Sequence, residues 1–278
     1  MGFFDLFNKK EVIEEVCIEK EANFSNFKKV TDYIYEESGI TDLDKRALTS
    51  SRAQQHAISK DVYTTDEFIS KMKSDREFYQ DIINIATVNE TFFLRELKEL
   101  EWLVRYIKEE NRPLSILSIP SSSGEEIYSI LLMLSDEGFD IDMLEIRGYD
   151  INSYAVACAK SGEYDEHSLH KIDGQRRANY FSAFKEHFKI SAEFRNRSTF
   201  EQKNIFDLGN QTAKYDIILS RNMFIYFDDK KREIALNIIT NLLKTNGIYI
   251  KGHADHIKKH PKLESVEYGI YKKSMTNI

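Results

Sequence analysis

One stretch constrains the fold more than any other. In it a short apolar run is followed by small residues and then by two glutamates at the start of a predicted helix. This stretch covers residues 114–129. Its first half predicts a buried strand, and the apolar residues after Glu126 recur at helical spacing. Tight turns between a strand and a helix place ligands at the carboxyl end of a parallel sheet. The stretch therefore predicts an α/β fold with a ligand-binding turn.

The charge of this turn restricts the ligand. Phosphate sites usually have a lysine or a longer glycine loop, whereas Glu125 and Glu126 at a helix start repel phosphate and favour a cationic group. The same residues also fit an ordinary helix start, since a serine-rich turn followed by glutamate caps many helices. Taken alone, the stretch leaves both interpretations open.

Apolar strands alternate with amphipathic helices along the rest of the chain. Strands are predicted at residues 146–149, 217–219 and 248–250, and helices at 155–160 and 234–243. This alternation predicts a parallel sheet covered by helices on both faces. In residues 161–202 polar and aromatic residues are interspersed, and the alternation of strands and helices is interrupted. This interruption predicts a small inserted subdomain.

The amino-terminal third predicts helices. Apolar residues from Phe24 to Ile34 recur at helical spacing up to a stop at Gly39. A second helix is expected at residues 43–56 with Thr41 or Asp42 as its cap, a third begins at Thr64, and a fourth runs through residues 78–86. We therefore predict a charged segment at 1–20, an all-helical domain at 21–90 and an α/β domain at 91–278 whose insert covers about 161–202.

Composition excludes several classes of function. The net charge of −7 argues against a general nucleic-acid binder, which needs a basic surface. Cys17 and Cys158 are the only cysteines, too few for a disulfide framework, so a reducing compartment fits best. The apolar start of the chain is interrupted by Asp5 and no long apolar run follows, so neither a signal peptide nor membrane insertion is expected. These features predict a cytoplasmic protein.

Five segments occur in an order that one family shares. They are Asn-Glu-Thr-Phe-Phe-Leu-Arg-Glu at residues 89–96, Ser-Ser-Gly-Glu-Glu-Ile-Tyr-Ser at 122–129, Gly-Tyr-Asp-Ile-Asn at 148–152 with the following 159–164, and the segments 215–228 and 243–253. With them the chain resembles the CheR-type chemoreceptor glutamate methyltransferases, from about Asn23 to Tyr271. The resemblance implies a doubly wound, Rossmann-like methyltransferase sheet with a small inserted β subdomain, preceded by an all-helical domain.

The resemblance also implies an activity. Members of this family use S-adenosyl-L-methionine to esterify glutamate side chains on the cytoplasmic domain of methyl-accepting chemoreceptors, in chemotaxis adaptation, and release S-adenosyl-L-homocysteine. Two alternatives stay open: a non-catalytic signalling or adaptor protein that binds the cofactor, and a methyltransferase for another carboxylate. A cofactor with a sulfonium and an amino group explains why the turn is acidic.

The resemblance implies cofactor contacts that the residue chemistry supports. Asp150 ends the second predicted strand, where an acidic residue can bind ribose hydroxyls, although it also fits a plain turn. The amide of Asn204 can bind the edge of adenine while Ile205 packs against its face. Asn222 offers a donor and an acceptor, although an asparagine can simply end a strand. The implied cofactor residues are Asn89, Thr91, Arg95, Ser122, Glu126, Asp150, Asn204, Ile205, Arg221 and Asn222, with Glu125 as a lesser candidate.

Arg95 and Tyr226 are the implied catalytic residues. A glutamate carboxylate is already ionised at neutral pH, so the enzyme needs to orient its nucleophile and not to deprotonate it. The guanidinium of Arg95 can hold a carboxylate through paired donors, and Tyr226 can donate one hydrogen bond. The alternative for Arg95 is a surface salt bridge with Glu96 or Glu99.

Three departures from the family affect these expectations. Pro120 and Ser121 precede the turn where the family usually has Gly or Ala and then Cys or Ala, and proline removes an amide donor. The helical domain has fewer arginines after Arg52 than the family's receptor-facing helix. Residues 182–188 contain no glycine, so tethering to a carboxyl-terminal receptor peptide is not expected.

His253 and His256 have a spacing that could bind metal, but no third ligand is evident, and no metal site is predicted.

Overall fold

The computed structural model describes residues 21–41, 47–87 and 90–274. Several predictions lie outside these ranges: the charged segment at 1–20 with Cys17, the cap at Asp42, and the cofactor contact at Asn89.

The amino-terminal part folds into four helices, which we call the helical region. These are α1 (Lys28–Ser38), α2 (Ala47–Ser59), α3 (Thr65–Ser74) and α4 (Arg76–Ala86). Gly39 ends α1 with a φ of 80°, a left-handed conformation that glycine adopts without strain. The hydroxyl of Thr64 accepts from the N–H of Glu67, whose carboxylate accepts in turn from Thr64, so the two residues cap α3. All four predicted helices are present, although α1 begins after Phe24 and Phe27 and the predicted start of the second helix at residues 43–46 lies outside the described residues.

The remainder contains six helices and ten strands among the described residues. The helices are α5 (Leu97–Glu110), α6 (Glu125–Asp136), α7 (Ser153–Ser161), α8 (Gly174–Tyr180), α9 (Ala192–Arg197) and α10 (Asp229–Leu242). The strands are β1 (Leu114–Ser118), β2 (Leu144–Asp150), β3 (Glu163–Tyr164), β4 (Phe181–Phe184), β5 (His187–Ile190), β6 (Ser198–Gln202), β7 (Tyr215–Ser220), β8 (Leu243–Lys251), β9 (Leu263–Glu267) and β10 (Ile270–Lys273). None of the described helices has both the length and the apolar character needed to cross a bilayer.

Seven strands form one sheet in the order β6-β2-β1-β7-β8-β10-β9. The first five are parallel, and β10 pairs antiparallel with both β8 and β9. Successive residues of β1 pack on opposite faces of the sheet. Ile116 packs in the hydrophobic cluster that contains α5 and α6, and Leu117 packs in the cluster that contains α10. The sheet is therefore covered on both faces, and the doubly wound α/β prediction is confirmed.

A second, antiparallel sheet of three strands, in the order β3-β5-β4, lies between α7 and β6 in sequence. This is the predicted β subdomain, but the expected end of the insert at residue 202 is wrong. The strand β6 pairs with β2 along its whole length and forms the parallel edge of the main sheet. Phe200 is the only large apolar residue in β6, so this strand has no apolar run to identify it.

Candidate functional site

A cavity of about 370 Å³ opens where β1, β2 and β7 end. Its volume lies within the range of small-molecule sites, about 300–1,000 Å³. Apart from the lesser candidate Glu125, every predicted site residue that the structure describes lines this cavity: Thr91, Arg95, Ser122, Glu126, Asp150, Asn204, Ile205, Arg221, Asn222 and Tyr226. The structure thus brings together residues from five separate segments of the chain.

The serine turn after β1 forms one wall of this cavity. Ser122 and Gly124 both have left-handed backbones, with φ of 47° and 92°. A side chain at Gly124 would place its Cβ 3.0 Å from the Cβ of Ala159, so the turn also needs glycine for space. The hydroxyls of Ser121 and Ser122 are buried with no hydrogen-bond partner among the described residues. Buried hydroxyls are normally paired, so this wall fits a polar ligand that supplies the partners.

Asp150 lies at the end of β2 and is 3% exposed. Its carboxylate accepts from the N–H groups of Ser122 and Asn152, both at 2.8 Å. Burial raises the pKa of this carboxyl to about 6, against the opposing effect of those N–H groups. A hydroxyl-bearing ligand in the cavity would give Asp150 further donors, as a ribose does.

The two glutamates that begin α6 have different surroundings. Glu126 lines the cavity and accepts from Ser118 at 2.9 Å and from Arg221 at 2.7 Å. Glu125 is buried against the hydroxyls of Ser123 and Ser168, outside the cavity lining. Burial raises the pKa of Glu125 to about 7. Of the two acidic candidates, only Glu126 faces the cofactor cavity.

Arg221, a predicted cofactor contact that lines the cavity, also has three protein partners. Its side chain is 5% exposed, and its donors reach Glu96 at 3.2 Å, Glu126 at 2.7 Å and the carbonyl of Arg95 at 2.5 Å. These partners already engage Nε, Nη1 and Nη2 of the guanidinium. Arg221 therefore joins the turn around Arg95 to the start of α6.

Arg95 follows a tight turn in which Leu94 has a φ of 58°, and Glu96 after it has 49°. Its Nη1 donates to the carbonyl of Glu90, and its guanidinium lies 5.9 Å from the centre of the Phe92 ring. Among the described residues Arg95 forms no salt bridge with Glu96 or Glu99, which pair instead with Arg221 and His253. Arg95 is thus available on the cavity wall.

Tyr226 belongs to a loop that follows β7 and is organised by a residue the sequence did not reveal. Asp255 is fully buried, and its carboxylate accepts from the N–H groups of Asn222 (2.6 Å), Phe224 (2.9 Å) and Gly252 (3.1 Å). Asn222 has a φ of 63° in this loop. Asp255 lies 33 and 31 residues from Asn222 and Phe224 in sequence, outside any motif, so no local signal connects it with this loop.

The helical region closes another side of the cavity. Ser38, Ile40 and Thr87 line it together with Asn204, whose Oδ1 accepts from the N–H of Phe206 at 3.1 Å. The Nδ2 of Asn204 lies 3.4 Å from the carbonyl of Glu37. These contributions could not be predicted from the sequence, because they depend on how the helical region packs against the sheet.

An acidic residue at the end of the second strand and a small-residue turn after the first are the features with which α/β sheets bind nucleotide cofactors. With this sheet order and the unpaired serine hydroxyls, they define the class of S-adenosylmethionine-dependent methyltransferases. Residues 89–271 match the family model described as "CheR methyltransferase, SAM binding domain". The chain belongs to the CheR methyltransferase family, and its cofactor is S-adenosylmethionine.

Individual relatives agree with this assignment. The chain is 33% identical to a chemotaxis protein methyltransferase of Campylobacter jejuni over 88% of this chain and 92% of that one. It is 29% identical to chemotaxis protein methyltransferase 2 of Vibrio cholerae, over 89% and 93%. It is 26% identical to the chemotaxis protein methyltransferase of Escherichia coli, over 84% of each chain.

Proposed function

We propose that this chain is a protein-glutamate O-methyltransferase that esterifies glutamates on the cytoplasmic domain of methyl-accepting chemoreceptors, within the cytoplasm. The observation that carries the proposal is that Arg95 and Tyr226 line the same cavity as Asp150 and Ser122. The named chemotaxis methyltransferases among its relatives support the same acceptor.

The proposed roles follow from the charges of the reactants. S-adenosylmethionine supplies an electrophilic methyl group on a positively charged sulfur. Asp150 and the serine turn hold the nucleoside and amino acid parts, and Asn204 and Ile205 hold the adenine. Because the acceptor carboxylate is already an anion, the residues around it need only orient it and exclude water.

Arg95 is assigned to the acceptor carboxylate, with Tyr226 as a second donor. A guanidinium presents two parallel donors to a carboxylate, which fixes the direction of its oxygens. Phe92 packs against Arg95, and Ile225, Met223 and Phe227 add apolar surface to the same cavity. Apolar surroundings strengthen the attraction between the guanidinium and its carboxylate.

A non-catalytic cofactor-binding protein is the second candidate. Cofactor binding alone would not require Arg95 and Tyr226 at the cavity, so their presence there favours an enzyme. Methylation of a carboxylate on a different protein is the third candidate and would use the same residues.

Receptor docking is proposed to use the helical region directly, without a tether to the receptor's carboxyl-terminal peptide. In the small sheet, β4 and β5 are joined by the two residues Lys185 and Glu186, and the connection contains no glycine. The helical region meanwhile contributes residues to the cavity wall, so a receptor helix bound there would lie near Arg95.

The deciding experiment is methyl transfer from radiolabelled S-adenosylmethionine to membranes that contain the receptors of the same organism. We expect label that is released by base, as a methyl ester is. Label that resists base, or no transfer by folded protein that binds the cofactor, would contradict the proposal and favour the second candidate. Label on a protein other than a receptor would favour the third.

A further inference from the structure

Three side chains with metal-binding atoms converge beside the site just described. Glu96 precedes α5, Glu99 lies in its first turn, and His253 follows β8. One oxygen of each carboxylate and a ring nitrogen of His253 all lie within 4.8 Å of one another. The histidine is more than 150 residues away in sequence from both glutamates, which is why the sequence showed no third ligand for it.

Glu99 is an unusual member of this cluster. Its side chain is 7% exposed, and Oε1 lies 2.5 Å from Nε2 of His253. The other oxygen, Oε2, is buried without a hydrogen-bond partner among the described residues. A buried carboxylate with an unpaired oxygen is costly, and an ion is one of the few things that satisfies it.

The surrounding charges leave this carboxylate without a full counter-charge. Arg221 is the nearby cation, and it is shared between Glu96 and Glu126. Two carboxylates therefore share one guanidinium, and Glu99 has only His253 as its ion-pair partner among the described residues. A divalent cation would correct this excess of negative charge.

We propose that Glu96, Glu99 and His253 bind a divalent transition-metal ion of the zinc type. Carboxylate oxygens and imidazole nitrogens are both zinc ligands, and zinc sites with three protein ligands hold water in the fourth position. The side chain of His253 is 50% exposed, so water can reach that position. Since Glu96 directly follows Arg95, a bound ion would fix the Arg95 turn to the end of β8.

The test is calorimetry with zinc chloride on the full chain after treatment with a chelator. We expect one site per chain, and no comparable binding of magnesium, which prefers oxygen ligands and keeps its waters. Glu99→Gln and His253→Asn should each weaken zinc binding at least tenfold, because loss of even a supporting partner of a ligand changes affinity by about 10–100-fold. His256→Asn, at an exposed histidine three residues away, is the matched control and should bind zinc normally.

Cobalt provides a second readout that does not depend on activity. Cobalt bound to this site should give visible absorption bands that are lost in His253→Asn and kept in His256→Asn. Absence of zinc binding by the folded chain would overturn the proposal and leave His253 and Glu99 as a simple pair. Equal affinity in all three variants would also overturn it, by placing the ion elsewhere. If Glu99→Gln fails to fold, His253→Asn remains as the test, because the side chain of His253 is half-exposed.

Discussion

The buried guanidinium of Arg221 donates to the main-chain carbonyl of Arg95 at 2.5 Å. The same group pairs with Glu126, which lines the cofactor cavity, at 2.7 Å. One side chain therefore connects the residue assigned to the methyl acceptor with the turn assigned to the cofactor. Movement of Arg95 or of Glu126 would shift the other residue, because both contact the same rigid, planar guanidinium.

Arg221→Ala should destabilise the fold strongly. The change leaves Glu96 and Glu126 partly buried without their cation, and removal of one partner of a buried pair costs about 3–5 kcal/mol. Urea unfolding followed by circular dichroism measures the loss. Arg105→Ala, at an exposed position of α5, is the matched control and should change the free energy of unfolding by less than about 0.5 kcal/mol. A similar, small effect of both variants would show that the Arg221 contacts contribute little.

Asp150→Ala should weaken the binding of S-adenosylmethionine and S-adenosylhomocysteine by about 1.5–3 kcal/mol, the usual value of a hydrogen bond to a charged group. Calorimetry on the pure protein measures both ligands. Glu125→Gln changes a buried carboxyl at the start of α6 that does not line the cavity, and the affinity of this variant for both ligands should stay close to wild type. Folded wild-type protein that shows neither heat nor a thermal shift with either ligand would refute the site.

Cofactor affinity should depend on pH through Asp150. Burial raises the pKa of this carboxyl to about 6 in the free protein, and hydroxyl donors from a ligand stabilise its ionised form and lower the pKa. Binding below pH 6 must therefore release a proton, so affinity is complete above pH 6 and falls as the pH drops through that value. Titrations from pH 8 to 5 should show this fall in the wild type. A profile of the same shape in Asp150→Asn would assign it to another group.

Arg95→Ala and Tyr226→Phe should slow methyl transfer far more than they weaken cofactor binding. Each removes a donor to a charged carboxylate, which is worth about 1.5–3 kcal/mol and corresponds to a loss in rate of about 10- to 150-fold. Single-turnover rates and calorimetric affinities separate the two effects. Tyr154→Phe alters an exposed tyrosine outside the cavity lining and serves as the control. Normal transfer by either site variant would remove that residue from its role.

Truncation of the last residues of the receptor should leave the rate of methylation nearly unchanged, because docking is assigned to the helical region. Rates with full-length and truncated receptor, at low and physiological ionic strength, test this. Salt should reduce both rates mildly, since exposed ion pairs are weak and readily screened. A large loss on truncation, or tight binding of the isolated peptide, would show that the edge of the small sheet forms a tether site without glycine.

The sequence predicted those parts of the fold that have a local signal. Apolar runs identified β1, β2, β7 and β8, and each is confirmed. Phe200 alone could not reveal β6. This strand is held in the sheet by hydrogen bonds to β2, which is distant in sequence, and it needs few apolar residues of its own. Local pattern was sufficient where an element's own residues determine its structure.

The residues of the site were predicted, but the contacts among them were not. The lining of the cavity by Asp150 and Ser122 followed from their places at and after the ends of strands. The contacts of Arg221 did not follow from the sequence, since its partners are 95 to 126 residues away. Nor could the sequence show that adjacent Glu125 and Glu126 face different surroundings, because successive residues of a helix point about 100° apart and the orientation of α6 is a tertiary property.

Main-chain carbonyls accept several of the contacts between the helical region and the α/β part of the chain. The N–H of Thr41 donates to the carbonyl of Tyr226 at 2.9 Å, while Asn204 and Lys231 reach the carbonyls of Glu37 and Glu36. A carbonyl is present whatever the side chain, so substitutions at positions 36, 37 and 226 leave these acceptors in place. We therefore expect substitutions on the outer surface of the helices to leave these main-chain contacts intact, so that this surface can change without loosening the wall of the cavity.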